Sequence, residues 1–443
     1  MYPTTPEDAA ISLLKDLIRN GCVNDLTPDS GHEERNADAL EEFFADTEGV
    51  RVQRFEPHPG RVSVAFTIDG TDPDAEPLTL LGHTDVVPVD QEKWTRDPFG
   101  AEEADGRIYG RGATDMLYIT ASMAAAVRDV ALGGARPRGT LTFVGCADEE
   151  ARGGLGAGWL AEHEPDAFSW RNCLSEEGGS HLPVSDGSDA LVVVTGEKGA
   201  GQRRLTVHGD AGHGSTPYAR DLAVAKIAEV ARRVAAIEPE VTSDEPWPSY
   251  VRAFKFDPAT ERALLDGTSY EPLGPLARYS HAMSHLTLAP TVLRAGGAIN
   301  VLPSTSWLEL DIRPLPGQTQ RDIDALLHEA LGDLAGEVEI THLITEDASL
   351  SPTSGPLYEA IVATYGEFFP DAAVVPTIAA GGSDLRFARR AGGVGYGFAL
   401  HERHQTLGGV LEQLHSHDEY VEVADVELTA RAYRSLVRRF TGA

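Results

Sequence analysis

Five short segments of the 443-residue sequence concentrate histidine and carboxylate side chains. They are GHTDVVP at 82–88, GRGATDM at 110–116, DEE at 148–150, SEEGG at 175–179 and HSHDE at 415–419. Each of these carboxylates, taken singly, is an ordinary loop residue. Two histidines and three carboxylates together form a ligand set suited to a pair of zinc or similar ions. Two ions held about 3.5–4 Å apart also need a bridging carboxylate between them.

Neighbouring carboxylates in these segments suggest supporting roles. A zinc-bound histidine usually donates its other ring N–H to a carboxylate, and Asp85 follows His83 by two residues. Glu149 and Glu150 are adjacent after a strand-like run, so their side chains point in different directions. One of them can bind metal while the other faces the attacking water as a general base. The pattern predicts metal-dependent hydrolysis, and no GxSxG segment indicates a serine nucleophile.

The elements that position these residues have the pattern of an α/β sheet. The apolar run 78–81 leads into His83, and the run 139–146 ends at Asp148. Between them, an alanine-rich stretch over 118–131 predicts a helix. In open α/β sheets, ligands bind just beyond the carboxyl ends of the strands. Further helices are predicted over 10–17, 33–44, 357–369 and 423–440, and further strands over 50–55, 61–68 and 394–398.

A second unit interrupts this pattern from about residue 200. Alternating residues predict strands over 203–208, 308–312 and 337–343, and helical periodicity covers 222–237 and 321–331. We therefore expect a discontinuous catalytic domain, residues 1–199 and 345–443, with an inserted α+β domain over 200–344. An acidic, proline-containing stretch at about 239–290 is expected to be an irregular insert within it.

The composition excludes several classes of protein. With 37 basic and 69 acidic residues the net charge is −32, which repels nucleic acids and anionic membranes. Three cysteines without a CxxC pair argue against a disulfide framework or a thiolate zinc site. The N-terminal segment has no basic region followed by an apolar run, and no stretch reaches the roughly 20 apolar residues that span a bilayer. We expect a cytoplasmic protein.

The sequence resembles the di-zinc metallopeptidase family of aminoacylase, carboxypeptidase S, glutamate carboxypeptidase and succinyl-diaminopimelate desuccinylase. The matching segments occur in the family's order between residues 78 and 421, among them LLGHTDVVPVD, GRIYGRGATDM, CADEEARGGLGA, CLSEEGG, AGHGSTPY, GGAINVLPS, LDIRPLPG, GGSDLRFARRAG and LHSHDEYV. The resemblance implies an α/β catalytic domain with a mixed central sheet flanked by helices. It also implies that the inserted α+β domain is a lid or dimerisation domain.

The resemblance assigns roles to the ligand segments. It implies metal ligation by His83, Asp115, Glu150, Glu177 and His415, with Asp115 bridging two ions, Glu149 acting as the base and Asp85 supporting His83. Glu177 is preferred to Glu176 because it directly precedes the glycine pair. His415 is preferred to His417 because it precedes Glu419 by four residues, which is the family's spacing.

The resemblance also implies substrate-binding residues. His213, in AGHGSTPY, is expected to reach the active site of a partner subunit and stabilise the oxyanion. Further contacts to substrate are expected from Asn300, Arg313, Ser383 and Arg386, with Arg313 suited to clamp a carboxylate. A homodimer joined through the lid follows from this arrangement.

Three functions remain open at this point. The first is a peptidase: a dipeptidase, a carboxypeptidase or an aminopeptidase. The second is an N-acyl amino-acid amidohydrolase of the aminoacylase or desuccinylase type. The third is a catalytically silent, metal-stabilised binding protein, against which the intact Glu149 argues. Zinc is the expected metal, and cobalt and manganese suit the same ligands.

Overall fold

The computed structural model describes residues 2–134 and 136–443. The helices are α1 (Pro6–Asn20), α2 (Glu34–Phe44), α3 (Tyr118–Leu132), α4 (Ala157–His163), α5 (Ala223–Val234), α6 (Trp247–Ala253), α7 (Pro258–Leu265), α8 (Ala277–Ser284), α9 (Gln320–Leu331), α10 (Pro356–Phe368), α11 (Leu385–Arg390), α12 (Leu407–Gln413) and α13 (Val423–Thr441). Within the described ranges, no helix combines the length and the apolar composition needed to cross a membrane.

Four sheets contain the strands. These are β1 (Arg51–His58), β2 (Arg61–Ile68), β3 (Leu78–His83), β4 (Glu102–Ala104), β5 (Arg107–Tyr109), β6 (Leu141–Cys146), β7 (Asn172–Ser175), β8 (Ala190–Glu197), β9 (Ala200–His208), β10 (Gly212–His213), β11 (Thr287–Arg294), β12 (Val301–Leu302), β13 (Thr305–Arg313), β14 (Val338–Glu346), β15 (Ser349–Leu350), β16 (Ala373–Ala379), β17 (Val394–Gly397) and β18 (Tyr420–Glu422).

The largest sheet is mixed and has nine strands in the order β1-β2-β6-β3-β7-β17-β8-β15, with β16 paired to β8. At its centre β3 runs parallel to both β6 and β7, and β17 runs parallel to β7. The carboxyl ends of these four strands therefore lie along the same edge of the sheet. This edge is where the sequence predicted the functional residues.

Helices cover both faces of this sheet. Leu80 and Phe143 pack on one face with α1, α3 and α13, whereas their neighbours Leu81 and Val144 pack on the other with α4 and α11. Successive strand residues point to opposite faces, and a sheet covered on both faces needs apolar residues at both sets of positions. Every residue of β3 and β6 is accordingly buried. The predicted fold class, an α/β protein with a mixed central sheet flanked by helices, is confirmed.

A second, antiparallel sheet lies between residues 200 and 346, in the order β11-β13-β9-β14. Helices α5 and α9 pack on one face of it, where Leu205 and Leu308 meet Ile227 and Leu327. The alternation along β9, in which every second residue is buried, reflects this one-sided cover. We call residues 200–238 and 287–346, which contain this sheet with α5 and α9, the four-stranded unit.

The stretch at 239–290 differs from our expectation of an irregular insert. It contains α6, α7 and α8, and its side chains Trp247, Tyr250 and Phe254 are buried. They pack in one cluster with Val192 of β8 and Val375 of β16, so this stretch covers one end of the nine-stranded sheet. The aromatic side chains supply the apolar area that orders a segment which is otherwise polar and rich in proline.

Candidate metal centre

The predicted ligands come from segments that follow neighbouring strands. His83 is the last residue of β3, Glu150 lies in a short 3-10 turn after β6, and Glu176 directly follows β7. Asp115 precedes α3, and His415 lies between α12 and β18. Because β3, β6 and β7 are parallel neighbours, their ends bring these residues together at one edge of the sheet.

Two groups of ligand atoms meet at Asp115. The Nε2 atom of His83 lies 3.3 Å from Asp115 Oδ1 and 3.5 Å from Glu176 Oε2. The Nε2 atom of His415 lies 3.2 Å from Asp115 Oδ2 and 3.4 Å from Glu150 Oε2. The two oxygens of one carboxylate thus face two different histidines, which is the arrangement of a carboxylate that bridges two metal ions. We call these groups the His83 triad and the His415 triad.

The geometry replaces one predicted ligand, because the His83 triad contains Glu176 and not Glu177. Glu176 continues from the end of β7, and its carboxylate reaches His83. Glu177 adopts a left-handed backbone conformation, with φ of 68°, which directs its side chain differently, and in the described chain its carboxylate joins neither triad. Position relative to the glycine pair was therefore a poor guide to direction. Of the two candidate histidines, His415 belongs to a triad and His417 does not.

Asp85 supports both the triads and the adjacent turn. The Nδ1–H group of His83 donates to the backbone carbonyl of Asp85 at 3.0 Å, and the Asp85 Oδ1 atom lies 3.5 Å away. The same carboxylate accepts hydrogen bonds from the backbone N–H groups of Glu149 at 3.2 Å and Glu150 at 3.1 Å. Asn24 donates to it from the other side at 2.9 Å. Asp85 thus fixes the imidazole and the Glu149–Glu150 turn together.

Glu419 holds the loop that carries the bridging aspartate. Its buried carboxylate accepts hydrogen bonds from the backbone N–H groups of Gly112, Thr114 and Asp115 and from the guanidinium of Arg111. The distances lie between 2.7 and 3.1 Å. From the sequence, Glu419 was recognised only as the residue four positions after His415, and this supporting role was not predicted. The DEY segment that follows the histidines was the available signal.

Within each triad, the histidine and carboxylate side chains shift one another's pKa values. Burial alone would lower the pKa of His83, but hydrogen bonds to Asp115, Asp85 and Glu176 outweigh it and raise that pKa well above its usual value. Hydrogen bonds to Asp115 and Glu150 raise the pKa of His415 to about 10. Burial and like-charge neighbours raise the pKa values of the crowded glutamates Glu149, Glu150 and Glu176. The carboxylates are crowded enough to need cations among them.

Glu149, the predicted base, belongs to neither triad. Its Oε1 atom lies 3.7 Å from the Nη1 atom of Arg386, and both side chains are largely buried. Arg386 also donates to the backbone carbonyl of Ser383 at 2.6 Å. Ser383 itself donates both its N–H and its hydroxyl to Glu197, at 2.6 and 2.7 Å. The Ser383 hydroxyl, which we expected to contact substrate, is therefore already bonded to Glu197.

The predicted residues of the four-stranded unit lie outside the triads. His213 on β10 is exposed, and its ring bonds to the Ser215 hydroxyl at 2.7 Å. Asn300 is also exposed, and its backbone carbonyl accepts a hydrogen bond from the Gly214 N–H at 2.8 Å. Arg313 donates to Asp311 at 2.9 Å. The structure thus places His213 and Asn300 side by side, but neither contributes an atom to a triad in the described chain.

The residues present fit a pair of divalent cations. Each triad offers imidazole nitrogen and carboxylate oxygen, with the ligand atoms within 4.8 Å of one another. The Glu150 Oε1 atom is buried and has no hydrogen-bond partner in the described chain. An unpartnered buried carboxylate oxygen is costly unless a cation balances it. A nine-stranded α/β sheet whose edge carries two such triads, joined by one aspartate, is the architecture of a dinuclear metal hydrolase.

Comparison with known proteins agrees with this class. The model of peptidase family M20/M25/M40 matches residues 79–439. Aminoacylase-1 of Sus scrofa is 28% identical over 421 residues, which cover 94% of this chain and 92% of that protein. The N-fatty-acyl-amino acid synthase/hydrolase PM20D1 of Xenopus tropicalis is 28% identical over 386 residues, covering 83% of this chain and 74% of that protein.

Solved structures show the same fold. The M20 family metallo-carboxypeptidase Sso-CP2 from Sulfolobus solfataricus superposes with a TM-score of 0.74 at 17% identity, covering 98% of this chain and 100% of that one. The chain belongs to the peptidase family M20/M25/M40. It is a metal-dependent hydrolase of peptide or amide C–N bonds, as our sequence analysis predicted.

Proposed function

We propose that this protein uses two zinc ions to hydrolyse the amide bond of a small amino-acid-derived substrate. The His83 triad would hold one ion and the His415 triad the other. Mixed imidazole and carboxylate ligands suit zinc and also admit cobalt or manganese. The observation that carries the proposal is the placement of Asp115, whose two oxygens face two different histidines at 3.3 and 3.2 Å.

When bound, the two cations would polarise the scissile carbonyl and lower the pKa of the attacking water. Glu149 accepts the proton of that water at its carboxylate and returns it to the departing amine. Its carboxylate belongs to neither triad, which leaves it available for this task. Arg386, 3.7 Å away, holds it by charge attraction. Asp85 bonds to the backbone of Glu149 and to that of Glu150, so the base and a metal ligand keep a fixed separation.

The residues of the four-stranded unit complete the site in this proposal. His213 and Asn300 are adjacent and exposed, and both suit an oxyanion of the tetrahedral intermediate. We propose that the unit acts as a lid and dimerisation domain, and that a second copy of the chain brings its His213 to the triads. Arg313 would bind a substrate carboxylate after releasing Asp311, with which it is now paired.

N-acyl amino acids are the substrate class we favour over peptides. Aminoacylase-1, which is similar over 94% of this chain, supports this choice. The likeness to a metallo-carboxypeptidase, at 17% identity, is one of fold. Peptidase activity on dipeptides remains the second candidate, since it uses the same metal chemistry. The difference between the two lies in the groups on either side of the scissile amide.

The test is a panel of N-acetyl, N-succinyl and longer N-acyl amino acids and of dipeptides, assayed with the zinc-loaded protein. Release of free amino acid that stops on chelation and returns with zinc supports the proposal. Release from N-acyl substrates alone favours an amidohydrolase, and cleavage confined to dipeptides favours a peptidase. A protein that binds two ions yet cleaves nothing in the panel would be the silent binding protein of our third hypothesis.

A further inference from the structure

A cavity with aliphatic side chains on one side and polar groups on the other lies directly beside the metal centre. Asp115 and Glu176, which both belong to the His83 triad, form part of its wall. The side chains facing them are aliphatic and come from α12 and the residue just beyond it: Val410, Leu411 and Leu414. A substrate group placed in this cavity would lie next to the ions that polarise its scissile carbonyl.

The remaining wall is mixed. Glu177, Ser180, Tyr118 and His401 contribute polar groups, and the Tyr118 hydroxyl and the His401 ring are bonded to each other at 3.1 Å. Ile119 of α3 and Val194 of β8 line it with their aliphatic side chains. Tyr279 of α8 also lines it, but its hydroxyl already donates to the Ile378 carbonyl at 2.9 Å, so it presents its ring. Ligand cavities that combine aliphatic side chains with a smaller number of polar groups bind apolar groups on the aliphatic side, and the polar groups fix the orientation. The Glu149–Arg386 side of the metal centre has the opposite character, because both of its groups are charged.

The size of the cavity limits what it accepts. Its volume is about 40 Å³. One water-sized group needs roughly 10–15 Å³ on this measure, so the cavity holds about three groups of that size. An engineered cavity that binds benzene has a volume of about 150 Å³, several times larger. The space therefore matches a short aliphatic chain and is too small for a phenyl ring or a long acyl chain.

We propose that this cavity binds a short aliphatic group of the substrate, of about three carbons, and sets an upper limit on its size. The proposal rests on the hydrolase function above and names its substrate class. The aliphatic group has two possible sources, the acyl chain or the side chain of the amino acid, because either adjoins the scissile amide. The experiment separates them.

Two substrate series measure the limit with zinc-loaded protein. One varies the acyl chain of N-acyl-L-alanine from acetyl to octanoyl and includes benzoyl. The other keeps the acetyl group and varies the amino acid from alanine through valine and leucine to phenylalanine. We expect kcat/KM in one series to rise to three or four carbons and then to fall at least tenfold for the largest member, since a poorly fitting hydrophobic group costs roughly 10–200-fold.

Variants of α12 test whether this cavity sets the limit. Leu411→Ala enlarges it and should move the optimum of the responding series to longer chains by about two carbons, because the variant removes three carbons from the wall. Val410→Phe fills it and should abolish the preference for propionyl or valyl over acetyl or alanyl. Val362→Ala, at an exposed position on α10 that does not line the cavity, should leave both series as in the wild type.

A binding measurement keeps the outcome independent of turnover. Calorimetry of the zinc-loaded protein with straight-chain carboxylates, from acetate to octanoate, should show affinity peaking at three or four carbons and shifting in Leu411→Ala. Affinity or kcat/KM that rises steadily to octanoate, or an optimum that both α12 variants leave in place, overturns the cavity proposal while hydrolysis stands. Failure to cleave any amide, with the binding optimum present, overturns the proposed function instead.

Discussion

The edge of the nine-stranded sheet and the four-stranded unit differ in how their predicted site residues are buried and hydrogen-bonded. At the sheet edge, His83 is 1% exposed, and buried hydrogen bonds hold its ring and the loop of Asp115. In the four-stranded unit, His213 is exposed, and among the described residues its ring nitrogen bonds only to nearby Ser215. The first region is organised by this chain alone. The second carries His213 and Asn300, which join neither triad in the described chain.

From this difference we expect metal binding and catalysis to depend on different regions of the molecule. The triads are assembled from five segments that meet at one edge, so they can hold ions in a single copy of the chain. His213 lies on a two-stranded ladder, β10 with β12, which presents it to solvent. Changes at the sheet edge should therefore alter metal binding or proton transfer. Changes at His213 should alter the reaction and leave the metal content as it was.

The largest loss of activity is expected from Glu149→Gln. Removal of a general base costs about 10²–10⁴-fold in kcat, because the proton of the attacking water loses its acceptor. Metal content should stay at the wild-type level, since Glu149 belongs to neither triad. Kinetics with the best panel substrate and metal analysis of the same preparation check both points. Unchanged turnover would move the base elsewhere, and lost metal would make Glu149 a ligand.

A somewhat smaller loss is expected from His213→Ala. Loss of one oxyanion donor costs about 10²–10³-fold in kcat. The exposed side chain contributes little to folding, so the unfolding temperature and the metal content should match the wild type. Ser215→Ala, which removes the hydroxyl partner of the ring, is a matched control and should cost much less.

Mixing two inactive variants shows whether His213 acts across subunits. An equimolar mixture of Glu149→Gln and His213→Ala, dissociated and allowed to reassociate, forms hybrid dimers that each contain one site with both residues intact. Random pairing restores about a quarter of the wild-type sites if the contact is between subunits of a two-fold dimer. No recovery, in a mixture shown to exchange subunits, means that His213 serves its own chain or none.

A smaller effect is expected from Glu419→Gln, which acts on the metal through the Asp115 loop. The amide presents an NH₂ group to backbone N–H donors that now bond to a carboxylate, so the loop loses part of its support. Residues that orient a metal ligand typically contribute about 10–100-fold to metal affinity. Competition with a chelating dye measures the change. Glu412→Gln, at an exposed position on α12, is the control, and equal affinity for both variants would dismiss the role of Glu419.

The sequence was a good guide where chemistry depends on residue type and strand ends. His83, Asp115, Glu150 and His415 follow apolar runs or turns, and the structure brings all four together. It was a poor guide where direction matters, as at Glu176 and Glu177, because a single left-handed residue decides which carboxylate faces His83. Long-range partners were also hidden: Asn24 bonds to Asp85 across 61 residues of sequence. The order of 239–290 depends on aromatic packing against distant strands, which local periodicity does not reveal.

The smallest expected effect is a release of protons on metal binding, which the four-stranded unit should not influence. Hydrogen bonds to Asp115 and Glu150 raise the pKa of His415 to about 10, so its imidazole is protonated at neutral pH before an ion binds. The pKa of His83 is raised as well. A metal ion needs the neutral ring, so binding must displace these protons, and affinity must rise with pH as long as the pH stays below those pKa values.

Calorimetry in two buffers of different ionisation enthalpy counts the displaced protons. We expect at least one proton per ion near pH 7, because the raised pKa values of Glu150 and Glu176 add to those of the histidines. Affinity should rise about tenfold per pH unit for each proton displaced. His213→Ala should release the same number, because that histidine lies outside both triads. His83→Asn should release fewer protons in total, because only the His415 triad remains to bind an ion. A proton count of zero would mean that His83 and His415 are already neutral before metal binds. The raised pKa values of the triad histidines would then be wrong.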